Sequence, residues 1–323
     1  MVEKTCIGIR REDKNPWEKR APLIPSHVRE LIEEYDLKVT VQPSQIRIFS
    51  DEDYVREGAN TSESLSGCRV ILAIKEIPLE RIQEGKVYLF FTHTTKGQVH
   101  NFPMLNRLIE RKCTVIDYEK IRDDQDRRLL FFGIQAGQSG MIETLSALGN
   151  RLSQEGIENP FASLLQPHAY ANLLDAKENI QRIGRQIHDQ GMPGSIVPFV
   201  CGFKGYGRTS QGAQEIFDLL PHESILPGDL EAFFKEKNYS SHRVYKVVFK
   251  EKHMVEPLQK QSEFDLQDYY AHPEKYRSVF SSYLPYLTVL INCIYWEPRF
   301  PRFVPLTALF ELYSREESPR LRV

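Results

Sequence analysis

Lys75 and His93 are the two side chains in this sequence best suited to moving protons at a carbon–nitrogen bond. Lys75 directly follows the apolar run 70–74, and His93 stands two residues after the run 87–91. Both runs read as strands, so both side chains fall at strand carboxyl ends, where open α/β sheets build their sites. A lysine and a histidine converging there suit imine chemistry, because burial and like charge lower a lysine pKa while histidine titrates near neutrality. Taken singly, each reads more simply as a solvated charge or a satisfied loop histidine. Arg20, in the run Glu18-Lys19-Arg20 between the first strand and the first helix, lies at the same face. An arginine there can clamp a substrate carboxylate bidentately, or belong to a surface basic cluster. Glu119 and Arg128 flank the end of the run 113–117 and read first as a salt bridge.

A second constellation is the loop Gly205-Tyr206-Gly207-Arg208-Thr209-Ser210-Gln211-Gly212, set between an apolar run at 199–203 and a helical run at 213–220. Glycines in that setting let a backbone approach a pyrophosphate at a helix N-terminus. The spacing departs from the usual G-x-G-x-x-G, with Ser210 at the third glycine position, so a tight turn explains the loop equally well. After the next predicted strand, 224–226, the first acidic residue is Asp229. It can accept hydrogen bonds from an adenosine ribose, which favours NAD, or cap the helix predicted over 230–234. Arg208 points the other way, toward NADP. The sequence holds no H-E-x-x-H, G-x-S-x-G or P-loop pattern, its histidines lack ligand spacing, and no metal site is expected.

The elements that must position these residues follow from hydrophobic periodicity. Strands are expected at 6–9, 38–41, 69–74, 87–91 and 113–117. Helices are expected after Ser26, as a cap, and over 103–112. That alternation is a βαβ pattern and implies a largely parallel sheet covered on both faces. Two long helices follow, at 139–152 and 169–190, the second ended by Gly191 and Pro193. The expectation is α/β, with two Rossmann-like domains of mainly parallel sheets joined by long helices: 1–138 for substrate, 139–195 between domains, and 196–323 for a dinucleotide. In 323 residues, 41% hydrophobic and 27% charged residues are ordinary for a globular chain. A net charge of −2 gives no global reason to bind nucleic acid or an anionic membrane, which leaves small molecules as partners. Five widely spaced cysteines read as reduced thiols. The apolar stretch 283–296 is too short to span a bilayer, and the N-terminus shows neither signal nor transit pattern, so a cytoplasmic or mitochondrial matrix setting is expected.

At these residues the sequence resembles the lysine–ketoglutarate reductase domain of the α-aminoadipic semialdehyde synthases, and more distantly the saccharopine and alanine dehydrogenases. The resemblance runs along nearly the whole chain. It is carried by residues 10–23, by Phe91-Thr-His-Thr-Thr-Lys96, by Ile116-Asp-Tyr-Glu-Lys120, by Ser210-Gln-Gly-Ala-Gln-Glu-Ile-Phe217, by His272-Pro-Glu-Lys-Tyr276 and by residues 290–296. It implies reductive condensation of lysine with 2-oxoglutarate to saccharopine, or the reverse, using a nicotinamide cofactor. By the same resemblance Lys75 and His93 match an acid–base pair, Arg20 a carboxylate anchor, and Glu119 an acidic modulator. Gly205, Gly207 and the Ser210 region match the dinucleotide loop, and Asn292 with Tyr295 the strand end bordering the nicotinamide. The bifunctional relatives use NADPH, which sets the expectation at NADP(H) over NAD(H). A homodimer through the second domain is an open expectation.

Relatives of this kind continue past the segment resembling residues 318–323 into a further strand, and here the sequence stops at its onset. The expectation is therefore a truncated C-terminal end, with an unpaired sheet edge. Two rivals follow from it: a non-catalytic cofactor- or lysine-binding regulatory protein, and an amino-acid dehydrogenase of the alanine dehydrogenase type.

Overall fold

The computed structural model describes residues 4–259, 261–315 and 319–323. Ser318, the first residue of the segment past which relatives are expected to continue into a further strand, lies outside the described residues. The chain divides into two compact units, Met1–Phe131 and Phe132–Val323.

In the first unit, strands β1 (Cys6–Ile9), β2 (Lys38–Val41), β3 (Asn60–Thr61), β4 (Val70–Leu72), β5 (Val87–Phe90) and β6 (Thr114–Asp117) alternate with helices α1 (Pro25–Glu33), α2 (Asp51–Arg56) and α3 (Phe102–Glu110). The strand runs are rich in valine, isoleucine and leucine, which suits a sheet covered on both faces. Helix α1 begins with Pro25 in its first turn after Ile24, one residue before the expected cap Ser26. Proline there leaves no extra N–H unpaired and brings its φ already set for a helix. All six strands are parallel, in the order β3-β2-β1-β4-β5-β6. The chain winds outward from β1 through β2 to β3, then returns to the other side of β1 at β4. Between β1 and β4, therefore, the connections leave in opposite directions, and their carboxyl ends border a crevice of the kind in which doubly wound sheets bind ligands. Ile9, Val28, Val39 and Tyr54 form one core cluster, and Ile71, Tyr88, Phe90 and Leu108 belong to another.

The second unit opens on two long helices, α4 (Gly133–Gln154) and α5 (Leu173–Gln190). Helix α4 starts six residues before the expected 139. Asn172 caps α5 by accepting from Asp175 N at 3.0 Å, and Gly191 at φ 80° ends it. Both helices pack within this unit, where Met141, Leu145, Ile180 and Ile187 share a core with Phe199, Phe203 and Phe217. After them come β7 (Val200–Lys204), α6 (Arg208–Phe217), β8 (His222–Ser224), α7 (Leu230–Glu236), β9 (Val244–Phe249), α8 (Glu251–Met254), β10 (Val255–Pro257), α9 (Leu266–Ala271), β11 (Tyr276–Ser278), β12 (Val289–Asn292) and α10 (Leu306–Arg315). Four strands form a parallel sheet in the order β12-β7-β9-β8, while β10 and β11 pair as a separate antiparallel ribbon.

The strand expected over 224–226, after β7 and the glycine loop, is observed as β8, at His222–Ser224. In the structure β8 is at the sheet edge and β9 lies between the two. On the other side of the sheet, Arg322 N and Leu290 N form 2.8 Å bonds with Thr288 O and Val323 O, so the described C-terminal residues run along the outer edge of β12. Among the described residues no helix is long and apolar enough to cross a membrane.

Candidate active site

The first unit gathers its chemistry at the crevice between β1 and β4. Glu12, just beyond β1, is 6% exposed and spans that gap: Oε1 accepts from Ile74 N at 2.7 Å and Oε2 from Lys75 N at 3.0 Å. Burial pushes its pKa up against these two N–H donors and the Arg10 charge. Glu18 is buried too, and Arg20 grips it bidentately, Nε at 2.7 Å and a terminal nitrogen at 2.6 Å. Burial alone would raise the Glu18 pKa, but the Arg20 hydrogen bonds, with help from the Lys75 charge, hold it below the ordinary value. Lys75 thus sits between two buried carboxylates, its N–H on one and its charge felt by the other.

His93 holds a left-handed backbone at φ 49°, which turns the chain sharply after β5, and its ring stacks on Phe91 at 6.1 Å. Its Nδ1 meets Glu76 Oε1 at 2.9 Å. Glu76 also takes Lys14 Nζ at 2.5 Å and Asn101 Nδ2 at 3.3 Å. Burial opposes ionisation of Glu76, yet hydrogen bonds from Lys14, His93 and its own N–H, with the Lys14 charge, bring its pKa down to about 2. The histidine's direct partner is therefore a fixed carboxylate, and Lys75 precedes that carboxylate in the chain. Glu119 follows β6 and accepts from Thr95 Oγ1 at 2.9 Å and from Arg128 at 3.3 Å, the salt bridge expected of the pair. Burial would raise the Glu119 pKa, but Thr95, Lys96, Arg128 and His93 together lower it. The Arg128 guanidinium lies 5.5 Å from the Phe91 ring, and its buried Nε has no hydrogen-bond partner among the described residues.

In the second unit, Gly205 takes φ 95° and its N–H bonds Phe249 O at 2.9 Å, tying the glycine loop to β9. A Cβ there would stand 2.5 Å from Ile294 Cγ2, whereas one at Gly207 would meet open space. Gly205 and Gly207 line a cavity of about 550 Å³ with Tyr206, Glu251, Tyr269, Tyr270, Cys293 and Trp296. It opens at the carboxyl ends of β7, β9 and β12, where the strand order reverses. Size and position fit a dinucleotide.

Other loop residues sit elsewhere. Gly212 is buried on α6, where a Cβ would come within 2.0 Å of Ile134 O, so its role is close packing against α4. Ser210 is fully buried, its hydroxyl bonded by Gln214 Nε2 at 2.9 Å. Arg208 is exposed in the first turn of α6. Asp229 is exposed at the α7 N-cap, where its side chain makes no capping bond, and it follows the edge strand two positions from β7. Two acidic residues line that cavity with the glycine loop: Glu297, and Glu251, which begins α8 just after β9. Its Oε1 accepts from Tyr270 Oη at 2.7 Å, and its charge raises the pKa of the neighbouring Tyr206. Asn292 is exposed at the end of β12, pairing in register with Lys204.

Sequence reasoning missed Glu12, Glu76 and Glu251 as site residues. The signal for each was present, since all three follow a strand within a few residues, but their partners come from distant segments of the chain. Among the described residues there is no cluster of histidine, cysteine, aspartate and glutamate able to hold a metal.

Comparison with known proteins places this geometry. Residues 8–139 match the family model for the alanine dehydrogenase/PNT N-terminal domain. The chain is 41% identical to an α-aminoadipic semialdehyde synthase of Arabidopsis thaliana and 37% identical to the mitochondrial one of Rattus norvegicus, over 96% and 94% of its own length. It spans about a third of the length of these relatives, 30% and 32%. A saccharopine dehydrogenase of Yarrowia lipolytica, NAD(+)-dependent and L-lysine-forming, is 28% identical over 71% of this chain and 62% of that one. Among solved structures an L-alanine dehydrogenase shares the fold, with a TM-score of 0.53 at 18% identity over 94% of this chain and 70% of that one. The chain is thus similar, over nearly all of its length, to roughly a third of the α-aminoadipic semialdehyde synthases, and its residues 8–139 match an alanine dehydrogenase/PNT N-terminal domain.

Proposed function

We propose that this chain is a lysine–2-oxoglutarate reductase acting on the CH–NH bond of saccharopine, with residues 1–138 binding the substrates and 196–323 the nicotinamide dinucleotide. The observation that carries the reading is the convergence of Lys75, Glu12, Glu18 and the Glu76–His93 pair at the crevice between β1 and β4. When the ε-amine of lysine condenses with a keto acid, a proton must leave the amine, water must leave the carbinolamine, and the product amine must be reprotonated. Lys75 and His93 serve these transfers. Glu76 fixes the His93 ring and its tautomer, as carboxylates do for catalytic histidines. Arg20, half exposed while paired with Glu18, anchors a substrate carboxylate. Glu119 and Arg128 set the charge around His93. The dinucleotide supplies the hydride when bound.

Gly205 and Gly207 give its pyrophosphate close backbone approach at the start of α6. Glu251 supports NAD(H) in place of the NADP(H) expected from the resemblance, because a carboxylate accepts from a ribose diol and repels a 2′-phosphate.

Oxidation of NADH and of NADPH is followed by absorbance with lysine and 2-oxoglutarate, together and singly. We expect NADH consumption only with both substrates, and a fall in kcat of about 10²–10⁴ for Lys75→Met and for His93→Asn. In fluorescence titrations Glu251→Arg shifts preference at least tenfold toward NADPH. Consumption with pyruvate and ammonia alone would move the protein to amino-acid dehydrogenation. Dinucleotide binding without turnover would make it a binding protein.

A further inference from the structure

Cys6 and Cys68 lie at the opposite ends of the strands from the proposed site, and nothing in the proposed chemistry uses them. Cys6 opens β1, and Cys68 closes the turn leading into β4. These strands pair in parallel with Ile7 opposite Val70, and Arg69 N bonds Cys6 O at 3.1 Å. Residues 6 and 8 leave the same face of β1. Because residue 8 is glycine, Cys68 can lie over that face, and a Cβ on Gly8 would stand only 3.3 Å from Cys68 Cβ. The two Sγ atoms are 2.7 Å apart, with both thiols free. That is an approach between ordinary contact and the ~2.05 Å of a bond.

The environments of the two sulfurs differ. Cys68 is 2% exposed, and burial with the Cys6 hydrogen bond pushes its thiol up to about 12. Cys6 is half-buried and lines a surface cleft with Lys4, Lys38, Thr40 and Arg69. Lys4 there is paired with Asp36, and Lys38 and Arg69 draw in an anionic reagent.

We propose that Cys6 and Cys68 form a redox modification site that takes a low-molecular-weight anionic disulfide of the glutathione class and closes to an intramolecular disulfide. The reachable Cys6 thiolate attacks RSSR, so that a Cys6–SR bond forms, the S–S bond of RSSR breaks and one RS⁻ leaves. Cys68 then gives up its proton and attacks the Cys6 sulfur. The Cys6–Cys68 bond forms, the mixed disulfide breaks, and the second RS⁻ departs. Two cysteines are oxidised, RSSR is reduced, and the two thiol protons end on two RSH. The bond clips β1 to the entry of β4, the two central strands whose far ends carry Glu12 and Lys75. It closes a long loop and so restricts the unfolded chain.

The test equilibrates the full chain with graded oxidised and reduced glutathione, alkylates the remaining thiols, and maps peptides by mass spectrometry. A Cys6–Cys68 linked peptide should accumulate, disappear with dithiothreitol, and accompany a rise in Tm of about 5–10 °C. Cys68→Ser should trap glutathione on Cys6, and Cys6→Ser should leave Cys68 reduced. Cys113, also half-buried, is the internal reference. Oxidation of Cys113 while Cys6 and Cys68 stay reduced would overturn the proposal. So would glutathione on Cys6 of the unsubstituted chain that never transfers to Cys68.

Discussion

Lys204 closes β7 and is 6% exposed, yet among the described residues it has no carboxylate partner. Its ammonium instead lies 4.4 Å from the Phe303 ring and 5.2 Å from the Phe280 ring. Two π faces recover only part of the lost hydration, and burial lowers the pKa from 10.5 to about 8. The direction of the shift decides the pH dependence. Below about pH 8 the folded and unfolded chains both carry the proton, and folding must bury a charge. Between about 8 and 10.5 the folded state gives the proton up first, so stability rises with pH across that window. Lys204→Met should therefore raise the unfolding free energy at pH 7 by about 1–2 kcal/mol, an advantage that fades by pH 10. Urea titrations of both proteins from pH 7 to 10 check this, and a difference that stays constant across the range would refute the charge-burial account.

Helices α4 and α6 pack through glycines. A Cβ on Gly137 would stand 1.9 Å from Thr209 O and 2.7 Å from Ala213 N, and both atoms are backbone, so no side chain can turn away. Gly212 meets Ile134 O from the other side at 2.0 Å. Alanine at Gly137 must push α6 outward, and α6 begins where the glycine loop ends. We expect Gly137→Ala to destabilise by about 2–3 kcal/mol and to weaken dinucleotide binding, although alanine is the better helix former. Gly140, on the same helix, faces open space. Gly140→Ala should therefore stabilise by up to about 1 kcal/mol and leave binding unchanged. Chemical denaturation and NADH fluorescence on the two variants measure both effects, and equal behaviour of the pair would count against the close-packing argument.

At the scale of the molecule, each unit has its own sheet, its own core and its own strand-order reversal, and the proposed roles divide in the same way. Hydrogen–deuterium exchange should show NADH slowing amides in residues 205–212, 251–254 and 293–297, and 2-oxoglutarate slowing amides near residues 10–20, 74–76 and 92–95. NADH protection confined to the first unit would reverse the assignment.

Much of this arrangement was legible in the residues. Hydrophobic alternation, β-branched runs and the positions of glycine and proline are local signals. They located five of the six strands of the first unit to within a residue or two, though not the two-residue edge strand β3, and with them the strand ends bearing Lys75, His93 and Glu119. The glycine loop was legible for the same reason. Pairing across strands was not, because it depends on which faces become buried together. Only the tertiary structure brought Glu12 across to the Ile74 and Lys75 N–H groups, and made Glu76 the partner of His93. Chain order does not give strand order either: β8, next after β7 in sequence, lies at the edge, and β9 takes the place beside β7. The carboxylate that we propose meets the ribose is accordingly Glu251 and not Asp229, since local periodicity specifies that a segment is a strand but not which strand it will lie against.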